Sequence, residues 1–270
     1  MSKSAGVANC MAALDPSGLT LSQIRRVLAS REFQVTSAVL SELADDPRVG
    51  VRRLGRRLAR ARAAARAERR RLNAMLEKER ALWRRGIVRV AGVDEAGMGP
   101  LAGPVVAAAV IFEPGTEIRG VDDSKKLSNA RRGEMARIIA RTAVAMGTGE
   151  ASVTEIDRLN IFHAGLLAMK RAVAALRPAP DFALVDGRRI PGLEIPQEAC
   201  VGGDGRHFSI AGASILAKTH RDRLMRKLDR VFPEYGFARH KGYGTKQHRL
   251  AIEKHGGTPV HRRSFCRGMA

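Results

Sequence analysis

The stretch Ile87–Pro100, IVRVAGVDEAGMGP, places two carboxylates between an apolar run and a glycine-rich loop. The run Ile87–Val93 has the composition of a β-strand, and Asp94 and Glu95 stand at its end. Two carboxylates beside free backbone amides can hold a divalent cation near a phosphate, because Mg²⁺ and Mn²⁺ prefer oxygen ligands. Taken alone, the dipeptide is more simply explained as a solvated strand end. The flanking sequence therefore has to decide between the two interpretations.

That flanking sequence has the pattern of a compact α/β domain. Strands are predicted over Val105–Phe112, Thr142–Thr148 and Asp181–Asp186, of which the last is buried and ends in an acid. Helices are predicted from apolar spacing over Leu21–Leu28, Val39–Leu43, Asn129–Arg141 (capped by Ser128), Ile161–Leu176, Ser209–Val231 and Lys246–His255.

Two further acids lie at predicted element boundaries. Asp186 ends a strand, and Asp204 precedes a helix within Gly202–Gly205. Because ligands gather where the strands of an α/β sheet end, Asp94 and Asp186 could converge. Two cations about 3.5–4 Å apart can activate water and stabilise the leaving oxygen in phosphodiester cleavage, and such cations need carboxylates to hold them together. The alternatives are an ordinary turn at Asp186 and a helix cap at Asp204.

The charge of the chain predicts a polyanionic partner. The formal net charge is +21 and the pI is near 11.2, so the protein concentrates nucleic acid or another anionic surface around itself. Binding of that kind weakens steeply as the salt concentration rises.

Residues 51–90 hold fifteen basic and three acidic residues, a net charge of +12. An apolar residue recurs every seven positions at Val51, Leu58, Ala65 and Leu72, which predicts a long helix over residues 51–85 with a narrow apolar stripe. Three interpretations stay open: a solvated helix face, a nucleic-acid-binding arm that follows phosphates without reading bases, or self-association through the stripe.

Cysteine usage and hydropathy predict a reduced, cytoplasmic protein. Cys10, Cys200 and Cys266 are odd in number and widely spaced, so neither a disulfide framework nor a zinc site is expected. The longest apolar run, Val105–Phe112, is far shorter than the roughly 20 residues of a membrane span, and the first residues lack the apolar core of a signal peptide.

Six ordered motifs resemble those of ribonuclease HII, the type 2 ribonuclease H. They are Val93–Val110, Asp123–Ser128, Leu184–Gly187, Gly203-Asp204, Ser209–Lys218 and His240–Thr245, and together they cover about residues 87–265. The resemblance implies a ribonuclease H-like α/β fold: a mixed sheet flanked by helices, with a C-terminal helical subdomain and an α-helical N-terminal extension. The expected boundaries are 1–86 for the basic extension, 87–231 for the catalytic domain and 232–270 for the C-terminal subdomain.

The implied activity is that of an endoribonuclease that uses Mn²⁺ or Mg²⁺. It would cut the RNA strand of RNA/DNA hybrids and incise 5′ of ribonucleotides embedded in duplex DNA, leaving 5′-phosphate and 3′-hydroxyl ends. Its partners would be these nucleic acids and no membrane, and the protein would act as a monomer.

The resemblance also implies roles for particular residues. Asp94, Glu95, Asp186 and Asp204 match the catalytic metal-binding acids. Gly97 and Gly99 match a backbone clamp for the ribose 2′-hydroxyl, the group that distinguishes RNA from DNA, and Met98 lies between them as a further substrate-binding position. Tyr243 matches the aromatic residue that packs on the next sugar, and Ser124, Lys125 and Lys218 fall in motifs near the phosphates.

The sequence departs from the family pattern at Met98, where arginine is usual. Backbone amides can still donate there, so the 2′-hydroxyl contact is expected to survive, while any contribution from the arginine charge is lost. Two rival interpretations remain: a DNA-cutting nuclease or recombinase of the same fold, and a noncatalytic nucleic-acid-binding protein. A histidine pair acting as base and acid would be another route to cleavage, but no spacing pairs the seven histidines.

Overall fold

The structure is a computed structural model that describes residues 14–30 and 33–268. The predicted absence of a signal peptide concerns residues outside this range, as does Cys10. Cys200 and Cys266 are free thiols. The chain divides into two compact units, residues 1–70 and 71–270. The boundaries expected from the resemblance, at 86/87 and 231/232, remain a prediction.

The first unit is a small helical cluster. It comprises α1 (Leu21–Ala29), α2 (Ser37–Asp45) and the start of α3 (Val49–Met75). Thr20 caps α1 in a reciprocal capping box with Gln23, and Thr36 caps α2. Ile24, Leu43 and Val51 are among the buried side chains of its core. These helices confirm the predicted helical character of the N-terminal segment.

The predicted long helix is in fact two helices, because α3 ends at Met75 and α4 covers Glu77–Arg84. Leu76 breaks the helix with φ −89° and ψ 0° and is buried in the core of the second unit beside Leu72 and Met75. Residues 59–67 are exposed except for the half-buried Arg62. The heptad stripe therefore has buried apolar residues towards the ends of the helix and exposed alanines at its centre.

A mixed five-stranded sheet organises the second unit. Its strands are β1 (Val90–Ala96), β2 (Val105–Ile111), β3 (Ala145–Ala151), β4 (Phe182–Asp186) and β5 (Gln197–Cys200), in the spatial order β3-β2-β1-β4-β5. β1 is antiparallel to β2, and β2 to β3, whereas the β1–β4 and β4–β5 pairs are parallel. The predicted mixed sheet is confirmed.

Two predicted strands begin about three residues too early. The first is Val90–Ala96 rather than Ile87–Val93, so Asp94 and Glu95 lie inside the strand and pair with Ala108 and Ala107. The third is Ala145–Ala151 rather than Thr142–Thr148, since the preceding helix continues to Thr142. Gly147 and Gly149, which argue against a strand by composition, are needed because a Cβ atom on either would lie about 2 Å from a backbone oxygen of the helix above.

Helices cover both faces of this sheet. They are α5 (Asn129–Thr142), α6 (Val153–Leu159), α7 (Ile161–Ala174) and α8 (Phe208–Val231). Two further helices, α9 (Phe237–His240) and α10 (Lys246–His255), contribute to a separate apolar cluster with Met225 of α8. α7 packs on one face against Ala91 and Val93, and α8 packs on the other. α8 passes directly over β1, because a Cβ atom at Gly92 would lie 2.1 Å from the carbonyl carbon of Ser209.

A buried carboxylate fixes the start of α8. His207 provides no side-chain cap. Instead Glu79 of α4, which is 1% exposed, accepts hydrogen bonds from Ser209 N (2.9 Å) and Ser209 Oγ (2.7 Å) through Oε1. Burial raises the pKa of Glu79. Negative charge is favourable at a helix N-terminus, so α4 helps to set the position of α8 over the sheet.

Among the described residues, no helix combines the length and the apolar character needed to cross a membrane.

Candidate active site

Three acids meet at the carboxyl ends of two neighbouring parallel strands. Asp94 lies in β1 and Asp186 ends β4. The last paired residues of these two strands are Val93 and Val185, one position before the two acids. Asp94, Glu95 and Asp186 each offer a carboxylate oxygen, and these oxygens all lie within 4.8 Å of one another. The sheet therefore brings together residues that are 91 positions apart in sequence.

Asp94 is the most enclosed of the three, with 4% of its surface exposed. It faces α8, where the Ser214 hydroxyl donates a hydrogen bond to its carboxylate, and the Glu95 N–H donates another at 2.7 Å. The Ser214 Oγ also lies within hydrogen-bond distance of the buried Ser124 Oγ, at 2.9 Å. The predicted substrate-binding residue Ser124 is therefore buried behind Asp94, with 4% of the residue's surface exposed.

Mutual repulsion and burial act on all three acids. Burial is the main cause that raises the pKa of Asp94 well above its ordinary value, and the charges of Glu95 and Asp186 add to it. Burial followed by the charge of Asp186 raises the pKa of Glu95, and burial also raises the pKa of Asp186. A cluster of this kind costs free energy when ionised unless a cation neutralises it.

Asp204 stands beside this group of three. It lies in a 3₁₀ turn, Gly203–Gly205, whose first N–H donates to Asp186 Oδ1 at 2.6 Å. The charge of Asp204 contributes to the raised pKa of Asp186. Its own Oδ2 accepts a hydrogen bond from Lys125 Nζ at 2.9 Å, and that bond raises the pKa of Lys125. The fourth predicted acid is therefore adjacent to the cluster and engaged by a lysine.

The glycine loop follows β1 directly. Gly97 has φ +99°, and a Cβ atom there would lie 2.1 Å from Nε of Arg221, so only glycine fits. Gly99 is exposed and lies next to the ring of Tyr243, whose Cε1 would be 3.8 Å from a Cβ atom at position 99. Tyr243 is 45% exposed. The predicted clamp and the predicted sugar-packing ring are thus neighbours.

The Met98 side chain is half-buried and lies against the protein core. It packs on the α7 face, and its Sδ would lie 3.0 Å from a Cβ atom on Gly165. A cleft of about 190 Å³ opens beside it, with Glu95 and Asp186 at its acidic end. The other lining residues are Met98, Phe162, Gly165, Leu166, Met169, Gly187 and Arg188.

The two predicted lysines differ in their surroundings. Lys125 is exposed and reaches the acids through Asp204, as described above. Lys218 of α8 is half-buried and forms an ion pair with Asp222 one turn later.

Sequence reasoning missed two buried arginines behind the loop. Arg221 and Arg262 are both 0% exposed. Arg221 donates to the carbonyls of Ala102, Pro104 and Lys241, each at 3.0 Å, and Arg262 donates to those of Gly97, Met98 and Gly103. Both residues stand in strongly basic stretches, so their charge gave no signal that they are buried.

The absence of any spacing that pairs the histidines was also misleading. His240, His248 and His261 form a buried cluster, with the rings of His240 and His248 stacked at 4.4 Å. Thr258 N–H donates to His261 Nδ1 at 2.9 Å, the two Nε2 atoms of His261 and His248 are 3.0 Å apart, and His248 Nδ1 is 3.0 Å from the carbonyl oxygen of Tyr243. This cluster supports the Tyr243 loop and is separate from the acids.

Solved structures with a similar fold define the class of protein as a ribonuclease H-like nuclease. Ribonuclease H2 from Pyrococcus horikoshii OT3 aligns with a TM-score of 0.58 at 26% identity, covering 67% of this chain and 96% of that one. RNase HII of Archaeoglobus fulgidus, solved in complex with PCNA, aligns with a TM-score of 0.55 at 28% identity over 65% and 94% of the two chains. Bst-RNase HIII, solved with Mn²⁺, shares the fold with a TM-score of 0.50 at 19% identity, over 66% of this chain and 67% of that one.

Sequence comparison narrows the class to one family. The Ribonuclease HII family model matches residues 91–268, and the model of the Ribonuclease HII N-terminal domain matches residues 20–83. Ribonuclease HII of Myxococcus xanthus (strain DK1622) is 48% identical over 91% of this chain and 84% of its own length. Ribonuclease HII of Clostridioides difficile (strain 630) is 45% identical over 92% and 97%. The chain belongs to the ribonuclease HII family.

Proposed function

We propose that this chain is a metal-dependent endoribonuclease that hydrolyses the RNA strand of RNA/DNA hybrids. The finer activity that we propose is incision 5′ of single ribonucleotides embedded in duplex DNA, leaving a 5′-phosphate and a 3′-hydroxyl. Family membership supports the reaction class. The observation that carries the site is the convergence of Asp94, Glu95 and Asp186 within 4.8 Å.

The donor set fits Mg²⁺ or Mn²⁺. All three groups offer carboxylate oxygen, which these hard cations prefer, and the raised pKa values reflect burial and like-charge repulsion that a bound cation would relieve. When bound there, a divalent cation would lower the pKa of water and stabilise charge at the phosphate. We assign Asp94, Glu95 and Asp186 as metal ligands and Asp204 as the fourth ligand. Asp204 would become available to the metal when Lys125 leaves it to bind a substrate phosphate.

The remaining residues position the strand. Ser214 and the Glu95 amide hold Asp94 in place, and Gly203 holds Asp186. The exposed Lys125 can neutralise a phosphate, and Lys218 lies on the helix above the acids. Tyr243 offers an exposed ring for the sugar next to the clamp at Gly97–Gly99. Positioning of this kind lowers the barrier by holding the phosphate in line.

The test uses two duplexes of one sequence, one with a single ribonucleotide and one of DNA alone. In Mg²⁺ or Mn²⁺, the duplex with the ribonucleotide should be cut once, 5′ of that nucleotide, and the all-DNA duplex should stay intact. A chelator should abolish the cut, and gel mapping of the ends checks the position.

The rival functions predict other results. Cleavage of both duplexes would favour a DNA nuclease of the same fold, and salt-sensitive binding without cleavage in either metal would favour a noncatalytic binding protein. The same assay run with a long hybrid measures the preference between hybrids and single ribonucleotides.

We further propose that residues 51–85 form a basic arm that raises affinity for the hybrid without entering the active site. Its exposed arginines, among them Arg53, Arg57 and Arg60, support this role. The core position of Leu72, Met75 and Leu76 argues against testing it by deleting residues 1–85, because that deletion would open the core of the second unit. Substitution of exposed arginines is the cleaner test.

A further inference from the structure

In the part of the chain that the structure describes, Arg262 donates hydrogen bonds to main-chain carbonyls alone, and two of these belong to the glycine loop. Its Nη2 donates to the oxygen of Gly97 at 2.6 Å and its Nη1 to the oxygen of Met98 at 3.1 Å. Its Nε donates to Gly103 at 2.9 Å, beyond the loop. The side chain is 0% exposed, so no part of the guanidinium is available to a substrate.

The direction of these carbonyls fixes the direction of the amides that follow them. In a trans peptide the C=O of one residue and the N–H of the next point to opposite sides of the chain. Since the Gly97 and Met98 carbonyls point towards Arg262, the N–H groups of Met98 and Gly99 point away from it. Within residues 14–30 and 33–268, neither amide donates a hydrogen bond. Two donors are thus left for a ligand on the side of the loop that faces away from Arg262.

The buried charge also strengthens these donors. A guanidinium that bonds to a carbonyl polarises the peptide unit, which makes its N–H a better donor. Burial lowers the pKa of Arg262 to about 9, which is still above neutral pH, so the group stays charged. The arginine therefore acts on the loop through both geometry and polarisation.

We propose that Arg262 is a positioning residue for ribose recognition: it holds the Gly97 and Met98 carbonyls from behind, so that the Met98 and Gly99 amides face the 2′-hydroxyl of the substrate. This inference rests on the proposed function. It also explains why Met98 is compatible with a working clamp, because the loop takes its shape from Arg262 and not from the side chain at position 98.

Arg221 provides the matched control. It is as deeply buried and also donates to three carbonyls, but these belong to Ala102, Pro104 and Lys241, outside the Gly97–Gly99 loop. Its contact with the loop is the packing of its stem and Nε against Gly97. A lysine at position 221 keeps that stem, so it removes carbonyl bonds without releasing those of the loop.

The experiment measures kcat/KM for the duplex with one ribonucleotide, and Ki for the matched all-DNA duplex as a competitive inhibitor, in the full-length chain. Arg262→Lys keeps the charge but cannot span two carbonyls. It should lower kcat/KM at least about tenfold, while Ki changes less than about twofold, because the all-DNA duplex offers no 2′-hydroxyl. Arg221→Lys should lower Tm by a similar amount and leave both constants within about threefold.

Two results would overturn the inference: an unchanged kcat/KM in a folded Arg262→Lys protein, or equal losses in kcat/KM and in Ki. If the lysine variant does not fold, Arg262→Gln is tested by NMR. The amide signals of Met98 and Gly99 in the unsubstituted chain should shift with the ribonucleotide duplex only, and Arg262→Gln should abolish that difference. Persistence of the difference in Arg262→Gln would also overturn the inference. If the unsubstituted protein does not distinguish the duplex with one ribonucleotide from the all-DNA duplex, that result contradicts the proposed function and not this inference.

Discussion

Two groups of like charges lie near the Gly97–Gly99 loop: the three acids before it and two buried arginines behind it. They differ in how completely hydrogen bonds within the protein replace the water that each charge loses on burial. At β1, three carboxylates within 4.8 Å repel one another and have raised pKa values. Behind the following loop, Arg221 and Arg262 each find three carbonyl oxygens. The arginines are completed by the fold itself, whereas within the described residues the three acids form no ion pair and are only partly offset by the charge of Lys125.

This difference separates what the protein needs for its own structure from what it holds ready for a ligand. A buried charge is tolerated when hydrogen bonds replace its water, and it is costly when they do not. The arginines therefore fix backbone, and the acids store unfavourable free energy that a divalent cation can release. Each of the following predictions changes one side of this comparison.

Neutralising one acid should have the largest effect. Asp186→Asn should reduce turnover by roughly 10³-fold or more, because a metal ligand contributes several kcal/mol to the transition state. The variant without metal should be at least as stable as the unsubstituted chain at neutral pH. The raised pKa values show that ionising these acids costs free energy in the folded state. This cost is absent at pH values below the pKa of the unfolded chain, and it is complete once the pH has risen through the higher pKa of the folded state.

Thermal unfolding with and without Mg²⁺ or Mn²⁺ checks this prediction alongside the cleavage assay. The metal should raise Tm of the unsubstituted chain and have little effect on Asp186→Asn. Asp181→Asn is the matched control, since Asp181 immediately precedes the same strand and pairs with Arg89 outside the cluster. A folded Asp186→Asn protein with full activity would refute the site assignment.

A substitution that crowds the buried arginines should lower the stability of the fold. Gly97→Ala places a methyl group 2.1 Å from Arg221 Nε and forces φ +99° on an alanine. Strain and overpacking together should lower the free energy of unfolding by about 2–4 kcal/mol. Gly99→Ala meets nothing closer than 3.8 Å and has no such backbone constraint, so its cost should stay below about 1 kcal/mol. Urea unfolding of the two variants gives the comparison, and equal costs would contradict it.

The two clusters also show how far the sequence alone leads. The acids were predictable because Asp94 and Asp186 each follow an apolar run in the sequence, and the order of the motifs placed them together. The bounds of the strands were less predictable. Asp94 and Glu95 are polar, but they still belong to β1 because their backbone pairs with β2. The arginines were not predictable, because a basic chain offers many arginines and only tertiary packing decides which ones are surrounded by carbonyls. β5 was missed because it is only four residues long and mostly half-buried.

The buried histidines, like the arginines, are held by hydrogen bonds within the fold, and their contribution to stability should depend on pH. The amide of Thr258 donates to His261 Nδ1, so a neutral His261 carries its proton on Nε2 and donates to His248, whose Nδ1–H then donates to the Tyr243 carbonyl. Protonation of His248 breaks this chain, and burial lowers the pKa of His248 to about 4.

Because this folded pKa lies below the unfolded value of about 6.5, the stability that depends on neutral His248 is full above pH 6.5 and is lost as pH falls towards 4. The loss should reach roughly 3 kcal/mol. Urea unfolding between pH 7.5 and 4 measures it, with His248→Gln as the comparison. The variant should be less stable at pH 7.5 and show a shallower decline below pH 6.5, and parallel curves would contradict the relay.

Exposed arginines should give the smallest effect, because water already satisfies them. Replacing Arg53, Arg57 and Arg60 of α3 with glutamine keeps helix propensity and removes three charges. If they contact phosphates, the slope of log affinity against log salt for a hybrid should fall by up to about 3, with kcat unchanged. The same three residues changed to lysine retain the charge and should retain the slope. An unchanged slope in the glutamine variant would identify these three positions of α3 as part of a solvated helix face.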